Sequence, residues 1–428
     1  MSELTATGEY VTASGEVASG GWARSSVRLT LGFGALVCFG LVMSVSAAAG
    51  DDGYTAALAH RLALTGLGVW AFLVGANVDY HRWRRHHVGI LLLAFAALVA
   101  VFVPGLGVVK NGARRWLNIG LPVGFQPSEF VKVGLCIWVA AYCERNLAHI
   151  RSFTHGFLLP LGVVGLACTL ILLEPDFGTA VLTGLVCVTV MMVMGTRLLF
   201  LLLAGAACLP FLHQLVFEVP YRLRRVLAFL DPWADPRGAG YQLIQSLLAI
   251  GSGGTTGLGL GAGRQKADFL PGAHNDFIFS VVGEELGFIG CVAVILLMAL
   301  LLWECLRVVK ESRDPFGFGL ALGLTTLLGV QATAHIAVAT GCVPTKGLSL
   351  PFISAGGSSL LASMLAAGIL VNIARSQERP DEFDFGPPAE DEPCYERAIV
   401  GGLRRLARFS HAVVPASGQE GGNRLDAS

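Results

Sequence analysis

Charge is scarce in this chain. Only 14% of its 428 residues are charged, against about 25% in soluble domains. Its 30 basic and 30 acidic residues cancel, so net charge gives no footprint of a nucleic-acid partner. The 10 cysteines include no CxxC pair, and no His/Cys spacing suggests zinc. Most lie inside apolar runs, as small buried hydrophobes do. The Gly-rich stretch 251–263 lacks a following GK[ST], which excludes a P-loop, and no strand precedes it, which excludes a dinucleotide fingerprint. Nothing implies an organic cofactor. No repeat of 20–50 residues is present. The first apolar run is too long, and its flank too polar, for a cleavable signal peptide.

Apolar residue is abundant instead: 54% of the chain, with a mean hydropathy of +0.64. Runs of roughly 17–25 apolar residues predict transmembrane helices. Ten are expected, over 27–49, 61–79, 88–107, 127–143, 156–174, 177–195, 197–215, 277–308, 318–341 and 358–374. The fold class is therefore an all-α polytopic membrane protein. Arg24, Arg28, Arg82, Arg84, Arg85, Arg145, Arg151, Arg197, Arg307, Lys310, Arg313, Arg375 and Arg379 fall on one side if both termini are cytoplasmic.

Three expected outer loops break that charge rule. One carries Lys110, Arg114 and Arg115. The large loop 216–276, between the seventh and eighth spans, carries Arg222, Arg224, Arg225, Arg237, Arg264 and Lys266. The last carries Lys346. Cations on the outer side fit an anionic ligand; simple tolerance is the plainer alternative.

The chain divides into a polar leader, 1–22, expected to be disordered, a membrane domain, 23–375, and an acidic linker with a cytoplasmic tail, 376–428. Residues 395–413 have the pattern of a basic helix lying on anionic lipid, weakened by Gly401 and Gly402. Within the large loop, Pro220–Leu227 reads as an amphipathic interfacial helix and 241–250 as a second short helix. The Gly-rich 251–263 suits a hinge or a close backbone approach to a ligand.

Four polar islands lie at span boundaries. The first joins Asn111–Trp116 to Gln126–Lys132. Here Glu129 and Lys132, three residues apart, share a helical face, and an intramembrane ion pair is either functional or structural. The second is Glu174–Thr179, where Asp176 suits a helix cap. The third contains His274 and Asp276, with Glu284 and Glu285 two turns deeper; Glu285 is expected near the Asp276 face and Glu284 near a buried cation. The fourth, Pro344–Ser359, reads as a re-entrant loop whose Ser354 and Ser358 suit a polar lining. Cations and a carboxylate base around a polar cavity fit a lipid phosphate or pyrophosphate. They also fit a transporter.

At these residues the chain resembles the SEDS family (shape, elongation, division and sporulation). GARRW, QPSEFVK, EPDFGTA, FLDPW, FLPGAHNDFIF, GEELGFIG and PTKGLSLPFISAGGSS stand in the family's order over about 27–375. The PTKG and LPFIS forms are more similar to the division branch than to the elongation branch. The resemblance implies a peptidoglycan glycosyltransferase that polymerises lipid II on the outer face of the bacterial cytoplasmic membrane. It implies a class B penicillin-binding transpeptidase and other divisome proteins as partners, within the lipid bilayer. It places the essential aspartate at Asp276, and basic and acidic functional positions at Arg115, Glu129, Lys132 and Lys346.

On this reading Asp276 deprotonates the acceptor sugar or positions Mg²⁺ or Mn²⁺, with no dedicated metal cage. Arg114, Arg115, Glu129, Lys132, Asp176, His274, Lys346, Ser354 and Ser358 are the candidate substrate-binding residues. Gly272, Asn275, His335 and Ala355 depart from the family's usual Glu, Thr, Asn and Tyr. A lipid II flippase and a scaffold that recruits the transpeptidase are the competing readings.

Overall fold

The structure, a computed structural model, describes residues 10–11, 17–18, 24–47, 54–110, 113–118, 124–265, 270 and 272–378. The expected tail from residue 379 onward, with its basic helix, lies outside the described residues. So does the leader, apart from the antiparallel pairing of β1 (Tyr10–Val11) with β2 (Val17–Ala18).

Helices α1 (Ser25–Ala47), α2 (Tyr54–Asn77), α3 (Tyr80–Arg85) and α4 (His87–Ala100) lead into a hairpin of β3 (Gly107–Lys110) and β4 (Ala113–Leu117). Then come α5 (Pro127–Arg145), α6 (Leu159–Leu173), α7 (Phe177–Met194) and α8 (Leu198–Phe217). The chain ends its described part with α9 (Pro220–Leu230), α10 (Tyr241–Ser252), α11 (Ile278–Glu311), α12 (Pro315–Ala339) and α13 (Gly357–Glu378).

Eight helices among the described residues are long and apolar enough to cross a membrane. The two remaining expected spans correspond to α4 and α5. At 14 residues, α4 covers only about 21 Å. The 19-residue α5 carries Glu129 and Lys132 in its first two turns, which lowers its hydropathy.

Small residues set the packing. Gly75 of α2 and Gly368 of α13 bring the two backbones into contact: a Cβ at 368 would lie 2.2 Å from Phe72 O, and one at 75 would lie 2.7 Å from Leu365 O. Gly319 and Gly323 of α12 seat against Ala140 and Cys136 of α5. Close approach of this kind gives helices their van der Waals attraction where lipid removes the hydrophobic drive. By contrast, α8 buries only Leu201 among its residues and lies at the edge of the bundle.

The expected long eighth span is α11, 34 residues with a break at Gly287 (φ 66°, ψ −163°). A break strands helical hydrogen-bonding groups. The Gly-rich stretch after α10 supplies their partners. Leu258 and Gly259 donate to the carbonyls of Glu284 and Glu285 at 3.0 Å, while Phe288 and Ile289 donate to Gly254 and Thr255 at 2.9 and 3.2 Å. A Cβ at Gly257 would sit 2.1 Å from Glu285 O, and one at Gly253 would sit 1.9 Å from Gly283 O. The close approach expected of these glycines is thus to the backbone of α11.

Glu284 and Glu285 serve the same joint. A Glu284 carboxylate oxygen accepts from the Arg264 and Gln265 amides at 2.6 and 3.1 Å. Glu285 accepts from Ser46 of α1 at 2.5 Å. Both carboxylates thus help fasten the loop to α11 and α1.

Candidate active site

Six segments meet at one end of the bundle: β4, the N-terminus of α5, the α6–α7 turn, α9, and the two loops that carry Asp276 and Lys346. Strand alternation sorts the paired arginines of β4. Arg114 is exposed and stands apart from the cluster; Arg115 is half-buried and turned inward. The Arg115 guanidinium donates to Glu174 O at 3.0 Å and Pro175 O at 2.6 Å, and Nη1 lies 4.0 Å from Asp176 Oδ2.

Asp176 caps α7 by accepting from the Thr179 amide at 3.2 Å, as expected. Its second oxygen accepts from Gln126 Nε2 at 3.4 Å. Gln126 precedes Pro127, which occupies the first turn of α5, where its missing N–H costs nothing.

Lys346 lies with Nζ 4.1 Å from the centre of the Phe177 ring, and Arg222 of α9 packs on the same ring at 5.5 Å. Gly178 makes room, since a Cβ there would already stand 3.1 Å from Lys346 Cδ. One turn along α9, Arg225 donates to Thr345 O at 2.9 Å. α9 therefore presents its two inward arginines, while Tyr221, Leu227 and Leu230 on it stay exposed, as suits a helix at the bilayer interface.

Asp276 ends a turn in which its N–H donates to Gly272 O at 2.9 Å; Gly272 has φ +74°. The carboxylate rests on Gly347, and among the described residues nothing donates a hydrogen bond to it. Burial raises its pKa; the charges of Arg225, His274 and Arg115 pull it back down, and Asp176 pushes it up. A carboxyl tuned upward with free lone pairs suits a general base. His274 itself is exposed at the rim. Burial lowers Lys346 to about 8, aided by Arg225 and Arg222 and opposed by Asp176.

Four candidates make hydrogen bonds within the protein. Ser354 donates to Asn275 O and accepts from the Leu350 amide, both at 2.7 Å. Ser358 donates to Gly124 O at 3.1 Å and accepts from the Gln126 amide at 2.9 Å. Their hydroxyls staple loops. Lys132 directs its ammonium to Glu129 Oε1, Glu129 Oε2 and Gln331 Oε1, each at 2.9 Å. Its three protons are thereby engaged, and at 2% exposure it has none for a phosphate. Gln331 in turn donates to Ser349 O at 3.0 Å, so the Glu129–Lys132 pair supports the Lys346 loop from below.

Arg222, Arg225, Gln126 and Phe177 were not singled out as site residues from sequence. The three-residue spacing of the two arginines on an amphipathic helix was the usable signal. Among the described residues no cluster of three or more His, Cys, Asp or Glu could hold a metal ion. The Asp276 carboxylate, with no donor on it among the described residues, has the chemistry of a single protein ligand for a divalent ion beside substrate oxygens.

Comparison with known proteins shows the family. Residues 26–379 match the family described as "Cell cycle protein", FTSW_RODA_SPOVE. A Geobacter sulfurreducens protein called probable peptidoglycan glycosyltransferase FtsW is 43% identical over 348 residues, covering 79% of this chain and 92% of its own. Stage V sporulation protein E of Bacillus subtilis is 39% identical over 346 residues, covering 79% and 94%. Among solved structures, a chain from a peptidoglycan synthase complex described as coordinating polymerization and crosslinking superposes with a TM-score of 0.69 at 30% identity, covering 82% of this chain and 98% of its own. The rod shape determining protein RodA of Thermus thermophilus gives 0.60 at 26%, covering 82% and 96%. With its family match spanning most of the length and its relatives aligned nearly end to end, the chain belongs to the FtsW, RodA and SpoVE family of cell cycle proteins.

Proposed function

We propose that this protein is a peptidoglycan glycosyltransferase that polymerises lipid II at the outer face of the bacterial cytoplasmic membrane during division. One observation carries the reading: Asp276, with no donor on its carboxylate among the described residues, feels the charges of Arg225, His274 and Arg115, and Lys346 and Arg222 pack together on the nearby Phe177 ring. A ten-span arrangement with both termini cytoplasmic, the reading the basic residues of the short loops support, would put this cluster outside. Its partners on this reading are a class B transpeptidase and other divisome proteins; the likeness to a chain of a peptidoglycan synthase complex that coordinates polymerization and crosslinking supports a crosslinking partner.

The chemistry follows from the groups present. The acceptor 4-hydroxyl attacks the donor's anomeric carbon while Asp276 takes its proton. The bond from that carbon to pyrophosphate breaks, and its electron pair stays on the departing oxygen. The four cations stabilise the charge that develops there, so no strong acid is needed. In-line attack inverts the anomeric centre, turning an α donor into a β-1,4 product. A divalent ion bound at Asp276 would add charge neutralisation at the pyrophosphate.

The test is lipid II polymerisation by the purified protein with its transpeptidase, comparing wild type with Asp276→Ala and Asp276→Asn. Loss of polymer in both, with folding and partner binding intact, supports the assignment. Full activity in either variant sinks it. Movement of lipid II across sealed vesicles without polymer would favour the flippase.

A further inference from the structure

Glu174 is the C-terminal cap residue of α6, and its two ends do different things. Its carbonyl accepts from Arg115. Its side chain is fully buried, and among the described residues neither carboxyl oxygen has a hydrogen-bond partner. An ionised carboxylate in that state is costly, and such a group takes a proton instead. The charged groups acting on it are Asp176 in its own turn and Arg115 from β4.

We infer that Glu174 works as a neutral carboxylic acid, and that its neutrality sets the charge of the site to that of a pyrophosphate diester. The inference rests on the pyrophosphate reading above. Arg115, Arg222, Arg225 and Lys346 face the two carboxylates of Asp176 and Asp276, which leaves an excess of two positive charges. A pyrophosphate diester carries one negative charge on each phosphorus. An ionised Glu174 would halve the excess and draw on Arg115, whose remaining N–H groups are the ones free for a ligand oxygen.

Burial, reinforced by Asp176 and opposed by Arg115, raises Glu174 to about 8. The acid form therefore dominates below that pH, and the carboxylate appears above it. A bound dianion favours the acid form further, so ligand affinity and the Glu174 proton are linked: affinity is held at neutral pH and falls as pH rises.

The test is the affinity of the full-length protein in lipid nanodiscs for a polyprenyl pyrophosphoryl sugar, a pyrophosphate diester with no proton to lose in this range, from about pH 7 to about pH 9. Lys346 titrates in the same range, so the readout is the difference between wild type and Glu174→Gln, which mimics the neutral acid. Wild type should lose affinity about tenfold more steeply than the variant over that interval. Infrared difference spectra should show a protonated carboxyl band at neutral pH that disappears in Glu174→Gln. Superimposed pH profiles, or collapse of affinity in the variant at neutral pH, would overturn the inference alone. A wild type without affinity at any pH would sink the pyrophosphate reading, and the inference with it.

Discussion

Gly347 lies directly beneath Asp276: a Cβ at 347 would stand 2.9 Å from Oδ2 and 3.3 Å from Cγ of that carboxylate. The backbone of one loop thus forms the floor on which the reactive group of the other rests. Gly347→Ala is expected to lift the carboxylate without disturbing the fold. Displacement of a reacting group by about 1 Å can cost up to a hundredfold, so kcat should fall at least about tenfold. The control is Gly356→Ala in the same loop, whose Cβ would meet nothing nearer than 3.7 Å. Equal activity in the two variants would show that Asp276 does not need this floor.

Arg225 exerts the largest favourable charge effect on the Asp276 carboxylate. Burial alone would hold Asp276 protonated to higher pH, and a protonated carboxyl cannot accept a proton. Activity must therefore fall as pH drops through the raised Asp276 pKa. Arg225→Gln removes the compensating charge, so the acid limb of the kcat profile should move to higher pH. Arg224→Gln, on the same helix but exerting no resolved effect on Asp276, should leave that limb in place. An acid limb that does not move in Arg225→Gln would rule out Asp276 as the titrating base.

Much of this arrangement was legible in the chain. The apolar runs gave the helices, because a membrane span must be continuous in sequence. Pro220 with the arginine spacing gave α9, and the Pro175–Asp176 pair marked the α6–α7 break. The unread parts depend on partners remote in sequence. Lys132 looked available for a phosphate because its third acceptor, Gln331, lies 199 residues away. The Gly-rich run looked like a ligand loop because the helix break it repairs, at Gly287, is itself invisible in an apolar helix. Ser354 and Ser358 looked like a lining because hydroxyl composition does not reveal which carbonyls they meet.

The Glu129–Lys132 pair is at once a test of that correction. Both groups are buried, Lys132 at 2% and Glu129 at 7% exposure. Lys132→Met leaves a carboxylate without its cation, which for a buried pair costs about 3–5 kcal/mol. The purified variant should melt well below wild type. Glu129→Gln combined with Lys132→Met removes both charges and should recover most of the stability. If Lys132 instead held substrate, the single variant would keep its melting temperature and lose only affinity.

Arg61 of α2 offers the sharpest separation of position from stability. It is 6% exposed, and its Nη2 donates to Ile353 O at 3.1 Å and Ser354 O at 2.9 Å. Among the described residues Nε and Nη1 are buried without partners. The two carbonyls close the turn that holds Phe352 at φ +67°, a conformation a bulky residue keeps only when its surroundings impose it. From that turn Ser354 holds Asn275 O and the Ala355 amide holds His274 O at 3.0 Å. A buried cation in α2 is thereby connected to the loop of Asp276 through hydrogen bonds alone. Arg61→Met deletes two donors but also an unpaired buried charge, and these act on stability in opposite directions. The melting temperature should therefore stay close to wild type while kcat drops about tenfold and KM changes little. A variant that melts early but turns over normally when folded would show that Arg61 only supports the bundle. A stable variant with full kcat would show that the turn holds Asp276 in place without it.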